Sequence, residues 1–306
     1  MRYRPFGRGG GALSSVSVRL GVAAAIRGPD FVRSLIYAAL EQGVNAYVLE
    51  SADPVLAGMV GDALSAVERE LVTVAVTLGA GDGRRGSLRD FSPEGLTHAI
   101  DRVLNVSGLG WIDVSLLDQP GENELPQISL QALKAQRSAD RTRMLGVAGD
   151  GEVMDAYVST GAFDVLATPY HVNAPWSVRS RIRAARERDM TILAYDFYPS
   201  VLSRGQRVAI SAPPARRGLF GLGSSRGAPD AAAGSADAFA FLHCVQGWTA
   251  EQLCLGFVLT DPAMTSVMVD VDTVERLNQI IDVPERDLPS GLAAQIEMAR
   301  VRSAAA

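Results

Sequence analysis

The feature that most constrains this chain of 306 residues is a rhythm. Short runs rich in Val, Ile and Leu recur at 16–20, 44–49, 71–77, 112–117, 144–148, 165–170, 192–195 and 266–269. Stretches with apolar positions at helical spacing follow them, at 31–42, 56–67, from Ser92 onward, around 130–136, and at 151–160, 177–188, 249–260 and 273–281. A strand that reads as a continuous apolar run is buried on both faces, which is the condition of a parallel sheet covered by its own crossover helices. About eight such units predict an α/β protein, a (β/α)8 TIM barrel that closes on itself. An open doubly wound sheet is the other arrangement with this rhythm, but no G-x-G-x-x-G follows the first run, so its nucleotide-binding version lacks support. Local signals agree with the rhythm: Ser92-Pro93-Glu94 is a helix start with Ser92 as cap and Pro93 at the first helical position, and Gly43 ends the helix at 31–42. The rhythm pauses at about 203–236, a segment of Gly, Pro, Ser, Ala and Arg, and then resumes. That segment reads as a flexible loop inside one domain spanning 1–306, not as a linker between two.

Composition narrows the function classes. The net charge of −5 offers no basic excess to recruit nucleic acid, and no apolar run approaches the ~20 residues of a membrane span. The N-terminus carries positive charge without an apolar segment behind it, so a cytoplasmic protein is expected. Cys244 and Cys254 are too few for a disulfide framework, have no paired metal spacing, and read as small core residues. Lys134 is the only lysine, so 28 of the 29 basic residues are arginine. Arginine is not deprotonated in practice, so chemistry that needs a lysine rests on Lys134 or is absent.

In a barrel of this kind the pocket forms where the strands end. The run 112–117 stops on Asp118 and breaks at once at Gln119-Pro120-Gly121. Other strand ends and the loops beyond them bring Glu50, Asp53, Asp150, Tyr170, His171, Asp196, Tyr198, Asp270 and Asp272 toward the same rim. A carboxylate-rich mouth of this sort could take a cation or run acid–base chemistry, whereas aspartate after a strand also serves simply to cap the next helix. His171 as a base needs a carboxylate partner, for which Asp196 on the neighbouring strand is the candidate. No metal set is expected. The candidate catalytic residues are Asp118, His171, Asp196 and Tyr198.

Several segments carry a resemblance to the aldo-keto reductases. MRYRPFGRGGGALSSVSVRLG resembles that family's N-terminal hairpin, ALEQGVNAYVLESAD its A-x-x-x-G-I-N-x-x-D-T-A segment, and WIDVSLLDQP the strand that ends in histidine. RMLGVAG resembles I-R-x-x-G-V-S-N, MTILAYDFYPSVLSRG resembles I-x-x-x-A-Y-S-P-L, and LCLGFVLTDPAMTSVMVDVDTVERLNQ resembles the C-terminal pattern ending S-V-I-P-G and E-Q-L-x-E-N. The resemblance implies a TIM barrel with an N-terminal hairpin and, in the family, NADPH-dependent carbonyl reduction by an Asp, Tyr, Lys and His tetrad. Position by position this chain departs from it. The aspartate falls on Val48, the tyrosine near Asp53, the lysine on Thr77 and the histidine on Asp118. The cofactor positions fall on Ala148, Gly149, Ala167 and Asp196, and the phosphate segment reads Ser266 to Asp272, with Asp270 and Asp272 where glycine and a cation are usual. The pocket expected from position and resemblance together comprises Glu50, Asp53, Thr77, Asp118, Tyr170, His171, Asp196 and Tyr198. The expectation is an aldo-keto-reductase-like protein that has lost NADPH-dependent reduction, takes no cofactor, and binds a small molecule or protein partner or runs a diverged reaction. The alternative is an active oxidoreductase that uses NADP and a non-standard proton donor, Tyr170 or Tyr198.

Overall fold

A computed structural model describes residues 1–7, 9, 11–80, 88–199, 202 and 238–304; the segment 203–236 lies outside the described residues. Eight parallel strands close into a barrel: β3 (Val16–Leu20), β4 (Ala46–Leu49), β5 (Thr73–Leu78), β6 (Ile112–Asp118), β7 (Thr142–Ala148), β8 (Val165–Pro169), β9 (Thr191–Tyr195) and β10 (Ser266–Asp270). They follow one another in sequence order, and β10 pairs with both β9 and β3. The crossovers are α1 (Val22–Arg27) with α2 (Pro29–Glu41), then α3 (Pro54–Leu64), α4 (Pro93–Ser107), α5 (Gln127–Ser138), α6 (Glu152–Thr160), α7 (Trp176–Arg186) and α8 (Ala250–Thr260). After β10 come α9 (Val274–Ile281) and α10 (Leu292–Ala304).

The period of two along each strand sorts its side chains between two cores. Val48, Ala75, Val114, Leu116, Val165, Ala167, Leu193 and Met268 fill the barrel interior. Alternate residues such as Val18, Tyr47, Val74, Val76 and Leu117 pack outward under the helices. Gly146 keeps the interior from overfilling, since a Cβ there would meet Leu116 Cδ1 at 2.8 Å. Helix starts are set by side chains that satisfy free backbone N–H groups, each worth about 1 kcal/mol. Ser92 accepts from Gly95 N at 3.0 Å, and Thr249 forms a capping box with Gln252.

The hairpin β1 (Tyr3–Phe6) and β2 (Gly11–Ser14) lies at the N-terminal end of the barrel. Arg4 donates to the carbonyls of Leu259, Asp261 and Met264, at the C-terminal end of α8 where carbonyls lack helical partners. Asn45, just before β4, accepts from Ser14 N and donates to Ala12 O, both at 2.8 Å, which fixes the second strand of the hairpin. A cavity of about 770 Å³ under the hairpin includes Lys134, Arg137, Arg143 and Asp113 in its lining. Asp113 is buried but well supplied with donors, accepting from Arg69, Arg143, Trp111 Nε1 and Val74 N. Lys134 is therefore at the opposite end of the barrel from the C-terminal rim.

Three elements differ from the sequence expectation. α2 begins at Pro29, earlier than 31, because proline fits the first helical turn. α1, a six-residue helix inserted between β3 and α2, and α10, which follows the last strand–helix unit, lie outside the expected rhythm. Cys244 is exposed, not core, whereas Cys254 is buried in α8.

Candidate functional site at the barrel mouth

At the C-terminal rim the strand ends enclose a cavity of about 540 Å³. Arg19 from β3, Glu50 and Ser51 after β4, Thr77 from β5, Asp118 and Gln119 from β6, Ala148 from β7, Tyr195 and Asp196 from β9 and Met268 from β10 line it, together with Val48 and Leu116. Four of the expected pocket residues, Glu50, Thr77, Asp118 and Asp196, are thus brought together, as are Val48 and Ala148.

Arg19 is the group that sequence reasoning missed. It points into the barrel because the alternation in Val-Ser-Val-Arg-Leu puts Ser17 and Arg19 on one face, and that alternation was the signal available. Its Nε donates to Asp270 Oδ1 at 2.7 Å and its Nη2 to Oδ2 at 2.6 Å, a bidentate pair between register partners on adjoining strands. The Asp270 bond, then the charges of Asp270, Glu50 and Asp196, raise the guanidinium's pKa against the opposing effect of burial. Asp270 is therefore paired within the chain, and the carboxylate-rich mouth also holds a cation.

Asp118 sits half-buried at the end of β6. Burial pushes its carboxyl above the usual carboxylate range, and Arg89 and Arg19 oppose this only in part. No hydrogen bond reaches its carboxylate among the described residues; Arg89 Nη2 instead donates to the carbonyls of Asp118 and Gln119, each at 2.7 Å. That grip, with Gln119 in the left-handed region at φ 44°, fixes the sharp exit of the strand. Glu50 folds its carboxylate over Gly21, where a Cβ would lie 1.8 Å from Oε2, so only glycine admits this placement. Ser51 is 4% exposed, and its buried Oγ has no hydrogen-bond partner among the described residues. Tyr195, also missed, has its hydroxyl pushed upward by burial and then by Asp196, Asp118 and Asp150.

The remaining candidates lie elsewhere. Asp53 does not line the cavity; it caps α3, accepting from Leu56 N at 2.9 Å. Tyr170 is turned into the core, its hydroxyl donating to Asp261 Oδ2 at 3.2 Å. Asp150 is held by the buried Arg181 at 2.5 Å, with Asp155 as that arginine's second carboxylate. His171 and Tyr198 line a neighbouring cavity of about 700 Å³ with Glu251 and Arg276, and Asp196 borders both cavities. His171 Nδ1 accepts from Asn173 N at 3.1 Å, and burial followed by the Arg300 charge holds the imidazole below its usual range. It makes no hydrogen bond to Asp196 among the described residues, so the expected base–carboxylate pair is not formed. Burial pushes Tyr198 up to about 12, and its hydroxyl is buried without a partner among the described residues. Gly149 donates its N–H to Ala167 O, and Ala167, the register partner of Ala148, packs in the barrel interior without lining the cavity. Arg276 pairs with Glu251 at 2.6 Å and more distantly with Asp272 at 3.8 Å. Among the described residues no cluster of His, Cys, Asp and Glu could hold a metal, and no helix is long and apolar enough to cross a membrane.

No protein-family model and no curated protein sequence matches the chain. Solved structures do. The aldo-keto reductase AKR11C1 from Bacillus halodurans in its holo form superposes with a TM-score of 0.74 at 16% identity, covering 98% of this chain and 96% of that one. Its apo form gives 0.68 at 15% identity over the same shares. The chain is similar in fold to these proteins along nearly its whole length.

Proposed function

We propose that this chain is an aldo-keto-reductase-like barrel that has given up NADPH-dependent carbonyl reduction and keeps the mouth as a binding site. The observation that carries this reading is the position of the one lysine. The mouth has Thr77 at the end of β5, where the resemblance puts the lysine, and Lys134 lines the cavity at the other end. Carbonyl reduction by this scaffold needs a tyrosine whose proton is loosened by an adjacent ammonium. Here the tyrosines around the rim are shifted the other way. Tyr170, Tyr195 and Tyr198 are all pushed upward, mainly by burial, and neighbouring carboxylates add to the effect. A phenol with a raised pKa is a weaker acid near neutral pH, and that weighs against Tyr170 or Tyr198 as a substitute donor in an NADP-dependent enzyme.

The residues present also fit NADPH poorly. Ala148 and Gly149 offer no polar side chain for a carboxamide. Asp270 brings a carboxylate to the phosphate segment, and Arg276, the next arginine along the chain in α9, is already engaged by Glu251. A 2′-phosphate would have to displace Glu251 or Asp272 from the guanidinium in order to use it. Losing general acid catalysis alone costs roughly 10²–10⁴-fold in rate, and a weakened cofactor site compounds that loss. Fluorescence titration of the full chain with NADPH tests the reading: no saturable change is expected up to high micromolar cofactor. Micromolar affinity, with turnover of an aldehyde that survives repurification, would return the chain to the oxidoreductases.

A further inference from the structure

Independently of what the mouth binds, we propose that His171 is the pin of an acid-released latch, which holds the last turn of α10 against the exit of β8. His171 opens a tight turn two residues beyond Pro169, the end of that strand: Ala174 N donates to its carbonyl at 2.9 Å, and Asn173 N donates to its ring Nδ1 at 3.1 Å. α10 is tied to this turn by two side chains. Ser303 Oγ donates to Asn173 Oδ1 at 3.1 Å, and Arg300 Nη2 reaches the His171 carbonyl at 3.5 Å. Leu292, Ile296 and Ala299 anchor the earlier part of the helix in the core. Beyond Arg300 the next two residues, Val301 and Arg302, are exposed, so the last turn leans on the polar ties.

The turn is sensitive to protons because of the ring atom it uses. A backbone N–H only donates, so Nδ1 must keep its lone pair, and the neutral imidazole carries its proton on Nε2. Protonation puts a second N–H where Asn173 already points one. That bond is then lost, and the turn that presents Asn173 Oδ1 to Ser303 loses its brace. The surroundings oppose the charge while the latch is shut: burial and then the Arg300 guanidinium lower the imidazole's pKa, and Asp196 and Asp150 act against them. Arg300 is itself faced by Glu297 and by Tyr170, whose hydroxyl is held by Asp261. Tyr198, Glu251 and Arg276 line a cavity together with His171 and Asp196. A loosened turn opens the ring to water and returns its pKa toward the ordinary ~6.5, so the loosened state binds the proton more tightly than the latched one. Latching is therefore fully present above about pH 6.5 and is lost progressively as pH falls below it.

NMR of the full, unaltered chain between about pH 8 and about pH 5 tests the latch. At the upper end, the ring nitrogen shifts of His171 should show the Nε2–H tautomer. As pH falls, protonation of the ring, movement of the Asn173 amide signal and loss of order from Arg300 to Ser303 should share one midpoint, below the ordinary histidine value. The loosened fraction of the last turn should rise roughly 2- to 10-fold, the worth of one neutral hydrogen bond. His171→Asn keeps an oxygen able to accept from the amide two residues on but does not titrate, so it should hold the last turn at both ends of the range. Ser303→Ala should leave the Asn173 response in place and weaken that of the last turn. Four results overturn the proposal: a ring that stays neutral to about pH 5, an Nδ1–H tautomer near neutrality, ring protonation without movement at Asn173 and the last turn, or a pH response of the last turn that survives undiminished in His171→Asn or Ser303→Ala.

Discussion

Replacing Arg19 with methionine keeps most of the side-chain volume and removes the one cation that lines the mouth among the described residues. The pair it forms with Asp270 is bidentate, but its carboxylate is largely exposed, 63% against 25% for Arg19. A sheltered charge-assisted bond contributes about 1.5–3 kcal/mol and an exposed ion pair about 0–1, so a loss of about 1–2 kcal/mol is expected near pH 8. For a chain of 306 residues this lowers Tm by about 1.5–3 °C. The loss should depend on pH in a defined direction. Arg19 opposes the upward shift of Asp118, so its removal raises that carboxyl further. A carboxyl whose folded pKa is raised loses stability as pH climbs from the unfolded value through the folded one. The deficit of Arg19→Met should therefore be largest near pH 8 and shrink toward about pH 4, where carboxylates gain protons. Calorimetric melts at both ends of that range, repeated in high salt, measure it. A deficit that is equal at both pH values, or larger in acid, would refute the assignment of Arg19 as the charge that balances the mouth.

Asp118→Asn carries the same sign in isolation: more stable than the parent near neutral pH by under about 1 kcal/mol, because the mouth is open to solvent screening, and equal to it below the ordinary aspartate range. Urea midpoints across pH read this difference directly. Two glycines of α3 should part company. At Gly61 a Cβ would lie 2.1 Å from the Ser107 carbonyl oxygen of α4, so Gly61→Ala should cost about 1–3 kcal/mol or more. At Gly58 the nearest atom is 3.9 Å away, so Gly58→Ala should stabilise by about 0.5–1 kcal/mol through helix propensity. Asp53→Ala should cost about 1 kcal/mol of stability through the lost α3 cap, read as a lower urea midpoint.

Much of the fold was legible because the barrel strands are buried on both faces, which turns each into an uninterrupted apolar word. The cap of α4 was equally plain, since Ser92 accepts from the third residue on, as such side chains do; Thr249, read as the first residue of its helix, caps α8 in the same way. Strand ends told which residues reach the rim, and Glu50, Thr77, Asp118 and Asp196 do meet there. What strand ends could not tell is direction. Asp53 and Tyr170 sit at the right height but turn toward a helix start and the core, where the Leu56 N–H and Asp261 engage them. Arg19 was overlooked for the opposite reason: it stands inside a strand, where a charge is easily passed over, and its meaning depends on Asp270, 251 residues away. Ser51 looked unremarkable in sequence, since only the surrounding packing leaves its hydroxyl alone.

The solitary lysine has a practical corollary. Because Lys134 stands beneath the barrel beside the hairpin, amine-directed coupling through that side chain would anchor every molecule by its underside, with the rim turned to the bulk. A biosensor surface prepared in this way would present the mouth in a single orientation, open to whatever is flowed across it.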